Sequence, residues 1–97
     1  MLRTSLCIGL LALCALAADW PDFRGPAGNG HSVETGVPLT WSESDNVRWK
    51  ATLPGRGWST PIIVGGEVWL TTATDGDRSL RVLALDASSG KLKHNVE

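Results

Sequence analysis

Two runs of apolar and β-branched residues, Thr60-Pro61-Ile62-Ile63-Val64 and Glu67-Val68-Trp69-Leu70-Thr71-Thr72-Ala73, are separated by Gly65-Gly66. A glycine pair takes the positive φ angles of a tight two-residue turn, so this stretch predicts a β-hairpin. Asp75-Gly76-Asp77-Arg78 predicts a second turn, Ser79 to Asp86 a third strand, Ala87-Ser88-Ser89-Gly90 a third turn, and Lys91 to Glu97 a fourth strand. In the third strand Leu80, Val82 and Ala84 alternate with Arg81, Leu83 and Leu85, which puts apolar residues on both faces. Upstream, Val37, Leu39 and Trp41 alternate with Pro38 and Thr40 and predict a short strand, followed by a polar turn at Ser42-Glu43-Ser44-Asp45-Asn46. Pro54-Gly55-Arg56-Gly57 reads as a loop, and no helix is predicted after residue 17.

The expected fold class is therefore all-β. Four antiparallel strands in a meander, with both faces asking for cover, describe one blade of a β-propeller. Residues 46–97 form that unit, and residues 18–45 form an irregular arm in which Trp20 and Phe23 stand among Pro21, Gly25, Pro26, Gly28 and Gly30. Aromatic side chains in a segment with no element of its own imply that the arm packs against something else.

The leader carries a different pattern. Arg3 precedes an uncharged, mostly apolar run from Leu6 to Ala18 that contains the small-residue pattern Ala15-Leu16-Ala17. This reads as a secretory signal peptide over residues 1–17, too short for a membrane span, and it predicts a secreted or periplasmic product with no stable span after its removal. Both cysteines, Cys7 and Cys14, lie in the leader, so the mature chain has no thiol for a disulfide or a Cys-ligated metal. Without Arg3 there remain eight Lys and Arg against ten Asp and Glu, interspersed along the chain, a balance that excludes nucleic acid as an expected partner.

From Trp49 to His94 the residues resemble one repeat of the pyrroloquinoline-quinone-like (PQQ-like) β-propeller family. The resemblance is carried by Ser59-Thr60-Pro61-Ile62-Ile63-Val64-Gly65-Gly66-Glu67-Val68-Trp69-Leu70 and by Val82-Leu83-Ala84-Leu85-Asp86-Ala87-Ser88-Ser89-Gly90-Lys91. The arm, with Asp19-Trp20-Pro21-Asp22-Phe23-Arg24-Gly25-Pro26, is similar to the start of secreted bacterial, planctomycete-like members. The separation of Trp49 and His94, 45 residues, agrees with blade periods of about 40 to 50 residues.

The resemblance implies structural roles for particular side chains. Trp49, Trp58 and Trp69 are blade-docking residues, Asp86 and Gly90 shape the turn after the third strand, and His94 occupies a docking position where the family has Trp. Trp20 and Phe23 are expected to pack the arm against blades. Propellers close from about four to eight blades, so the resemblance implies further blades or a partner protein. It also implies two functions. One is a non-catalytic scaffold or protein-binding module, as in members similar to the outer-membrane barrel-assembly lipoprotein. The other is the N-terminal part of a dehydrogenase oxidising an alcohol or sugar with pyrroloquinoline quinone and calcium, in which Asn46, Val47 and Trp49 match the entry into the first blade.

No catalytic, cofactor-binding or metal-binding residue is assigned in this chain. Gly25 to Gly30 lacks the Lys-Ser/Thr ending and the flanking strand and helix of a phosphate loop. Ser59 follows Gly57-Trp58 without the second glycine of a nucleophile elbow, and reads as a strand-entry residue. His31 with Glu34, and Asp19 with Asp22, are pairs too small for a metal site. Asp75 and Asp77 read as a solvated hairpin tip in place of a calcium loop. Trp58 and Trp69 are the residues best suited to stack on a ligand, with blade packing as the plainer role.

Overall fold

Gly65 and Gly66 sit at φ of 58° and 77° and join strand β1 (Ile62–Val64) to β2 (Glu67–Thr74). Two successive positive φ values give the turn a twist that matches the flanking strands. The computed structural model describes residues 18–97; the leader expected over residues 1–17 lies outside the described residues. Strand β2 pairs along its whole length with β3 (Ser79–Asp86), from Glu67 opposite Asp86 to Thr74 opposite Ser79. The chain turns again through Ala87–Gly90 into β4 (Leu92–Val96). The result is one antiparallel sheet in the order β1-β2-β3-β4, with no helix among the described residues. The chain is all-β, and β3 has the bounds its alternation predicts.

The first strand is shorter than predicted, and Thr60 and Pro61 are exposed outside it. Opposite that stretch the backbone of Thr71 is served instead by a side chain, since Ser59 Oγ accepts from Thr71 N (3.0 Å) and donates to Thr71 O (3.2 Å).

The two faces of the sheet differ. Leu83 and Leu85 are buried on the face shared with Val68, Leu70 and Thr72, and burying a leucine stabilises by about 1.5–3 kcal/mol. The segment from Trp49 to Arg56 spans from the β3–β4 turn to Thr72 beside that face. Trp49 Nε1 donates to Ala87 O (2.9 Å) at one end, and Thr72 Oγ1 reaches Pro54 O (2.8 Å) and Arg56 O (3.1 Å) at the other. The opposite face keeps Ala84 covered beneath the Trp69–His94 stack but leaves Leu80, Val82 and Val96 at 73%, 42% and 59% exposure.

The irregular residues before β1 pair with the sheet's edge without forming a strand. Trp20 exchanges two backbone hydrogen bonds with Ile63, both 2.8 Å, and Asp19 Oδ1 accepts from Gly65 N (3.0 Å). Arg56 exchanges two with Ala73, at 2.9 and 2.7 Å. The strand predicted over Val37, Leu39 and Trp41 does not form, and Leu39 is 94% exposed. On the β1 and β2 side of the sheet, Trp20, Ser59 and Arg56 already take the backbone groups that such a strand would pair with. The polar turn that follows is present: Ser42 and Asp45 bond each other through the backbone, and Asn46 takes a φ of 58°.

Candidate functional site

Three local constellations gather the residues singled out from the sequence. The first is the β3–β4 turn. Asp86 Oδ1 accepts from Ser88 N (2.9 Å), Ser88 Oγ (2.5 Å), Ser89 N (2.9 Å) and Ser89 Oγ (3.1 Å), and Gly90 closes the turn at φ 73°. These bonds favour the charged carboxylate, so its pKa falls from 3.8 to about 2, with the Ser88 hydroxyl the largest cause and the Ser89 and Ser88 amides next. Trp49 lies over Gly90, where its indole fills the space that a β-carbon would need. Trp49 thus docks on the turn of its own sheet.

The second constellation is on the face away from Leu83. Trp69 and His94 stack with ring centroids 5.9 Å apart and planes inclined by 17°. Beside them Lys93 Nζ donates to Glu67 Oε1 (2.7 Å), an interaction that, with the Glu67 charge, raises the lysine pKa. Lys93 and His94 are consecutive yet serve Glu67 and Trp69, which share one face of β2. A register shift opposite Ala84 and Leu85 makes this possible, because the extra residue of a bulge breaks the strict alternation of sides. No sequence signal marks this bulge.

The third is the arm. The Trp20 indole rests on Gly25, where an added β-carbon would fall 2.5 to 2.7 Å from three ring carbons. Phe23, expected with Trp20 to pack against further blades, is 71% exposed in this chain. Gly25 to Gly30 forms a compact loop around the indole, and a 240 Å³ recess there is bordered by Trp20, His31, Val33 and Ile63. Asp19 is spent on Gly65, while Asp75 and Asp77 stand exposed at the β2–β3 tip with positive φ.

Trp58 joins none of these. It is fully exposed beside an open groove of about 670 Å³ bordered by Arg56, Thr71, Leu80, Val82 and Val96. The groove is mostly apolar, with Arg56, Asp77, Arg81 and Glu97 at its margins, and Arg81 is tied to Asn95 Oδ1 (2.9 Å) and Glu97 (3.8 Å). Among the described residues no three of His, Cys, Asp and Glu stand close enough to hold a metal ion, and no helix is long and apolar enough to cross a membrane. Gly25 and Thr72 are the structural residues that the sequence did not single out for the contacts they make.

No protein-family model matches the chain, and no curated protein or solved structure is found similar to it.

Proposed function

We propose that this chain supplies one blade and an N-terminal strap to a secreted or periplasmic PQQ-like β-propeller that works as a non-catalytic scaffold or protein-binding module. The observation that carries the reading is the unequal cover of a sheet that is apolar on both sides. The chain's own Trp49–Arg56 segment lies beside the Leu83 face, while Leu80, Val82, Val96 and Trp58 remain open on the other. Stacked sheets bury such a face, and in a propeller the neighbour is another blade. The partner is accordingly a further blade, in the same chain or in a second protein.

Pyrroloquinoline quinone and calcium belong to the dehydrogenase alternative. No residue of the described chain is assigned to either group, and no chemical step is derived through them.

The test is the intact mass of the native product, captured from its source cell with an antibody against the arm around Trp20, followed by absorbance and calcium-dependent dye-reduction assays. A product of several blades, or a tight complex with a second protein, with neither assay positive, supports the scaffold. A free monomer of this sheet that melts in one sharp transition overturns the propeller, and stoichiometric quinone absorbance replaces the scaffold with the dehydrogenase.

A further inference from the structure

The loop that seats Trp20 is closed by three backbone hydrogen bonds: Gly25 N to Asp22 O (2.9 Å), Gly28 N to Gly25 O (3.0 Å) and Gly30 N to Arg24 O (2.7 Å). Asn29 is exposed at its far side and is followed by Gly30, which has no side chain to shield its amide nitrogen. Asn29 Oδ1 accepts from His31 N (3.0 Å), which lays the side-chain amide along the Gly30 peptide. An electrophilic amide carbon and an unhindered backbone nitrogen are thereby neighbours.

We propose that Asn29–Gly30 is a spontaneous deamidation site, gated by the hydrogen bond from Gly30 to Arg24. The Gly30 nitrogen gives its proton to solvent base and attacks Asn29 Cγ. A carbon–nitrogen bond forms, the bond from Cγ to the side-chain nitrogen breaks, and that nitrogen takes up a proton and leaves as ammonia. Water then opens the five-membered imide at either carbonyl, leaving aspartate or its β-linked isomer at position 29.

In the docked arm the Gly30 N–H is committed to Arg24 O, so attack waits for the loop to open. When opening and closing are fast beside the chemistry, the rate follows the population of the open form. Both products add a negative charge, and the β-linked one also lengthens the backbone inside the ring that the Gly30–Arg24 bond closes. Modification therefore disfavours the return of Trp20 to Gly25, and the strap loosens irreversibly with age.

The experiment follows position 29 by mass spectrometry, as a one-dalton gain with fragmentation that separates the isomers, during incubation at mildly alkaline pH. The full chain is compared with a free peptide of residues 19–34 and with full-length Gly25→Ala and Trp20→Leu, two different ways of unseating the indole. The expected result is conversion about tenfold or more slower in the full chain than in the peptide, with both variants moving toward the peptide rate. Equal rates in chain and peptide, or variants that convert no faster than the parent, overturn the gate. A peptide that does not convert overturns the site itself.

Discussion

The indole of Trp49 occupies the place where Gly90 would carry a β-carbon, and its Nε1 bonds Ala87 O at 2.9 Å. One residue ahead of the sheet thus fixes a turn 41 positions later. Gly90→Ala must both displace the indole and hold an alanine at φ 73°. Gly65→Ala, at φ 58° with open space around it, meets only the backbone cost of about 1–2 kcal/mol. Denaturant titration is expected to show a larger loss for Gly90→Ala than for Gly65→Ala. Equal losses would mean that Trp49 gives way freely. Trp49→Phe, which keeps a ring but no donor, is expected to cost about 1 kcal/mol.

Asp86 gives the turn a pH dependence of known sign. Its carboxyl titrates at about 2 in the folded chain against 3.8 as a free side chain, so its stabilisation is complete above 3.8 and is lost as pH falls toward 2. The parent is expected to exceed Asp86→Asn in stability at neutral pH, with the gap closing across that acid window. A gap that stays constant down to the lower limit would show that the carboxylate charge contributes nothing.

Trp20 and Phe23 separate cleanly. Trp20 is bonded to Ile63 and seated on Gly25, whereas Phe23 points into solvent. In the chain alone Trp20→Ala is expected to lower stability by about 2 kcal/mol, and Phe23→Ala by about 0.5 kcal/mol or less. The same pair measured in a several-blade product reads out the neighbour, since a large effect of Phe23→Ala there requires another blade over that ring.

Among the described residues strand β4 has no partner on its outer side, and all five of its residues are exposed. Its bulge and Lys93 are devices that discourage another chain from adding to such an edge. Deleting Lys93 would restore regular alternation through the strand and remove a charge held by Glu67. Light scattering is expected to show increased self-association of that variant. Unchanged scattering would mean that the edge is protected by other means.

The parts of this fold that depend on side-chain pattern were legible in the residues. Strand β3, with Leu83 and Leu85 on one side and Leu80 and Val82 on the other, has its predicted bounds, and Gly65-Gly66 makes the predicted turn. What escaped is pairing through the backbone. Trp20 with Ile63 and Arg56 with Ala73 use N–H and C=O groups that every residue carries, so no pattern announces them. The same pairings close the β1 and β2 side of the sheet to Val37, Leu39 and Trp41, whose alternation finds no partner there. Among the site residues, Asp86 and Gly90 were readable as turn chemistry from five consecutive positions. The seat of Trp49 on Gly90 joins segments far apart in sequence, and the shared face of Lys93 and His94 depends on a bulge; neither follows from local composition.

The bond between Trp20 and Ile63 also sets an order of events. The three hairpins close between sequence neighbours, whereas the strap must wait for a partner 43 residues behind it. During synthesis from the N-terminal end, Trp20 emerges long before the strand that receives it. For that interval its indole adds to Phe23 and Trp41, which stay exposed even in the folded chain, as bare apolar surface of the kind that chaperones hold. The strap is made well before the edge that receives it.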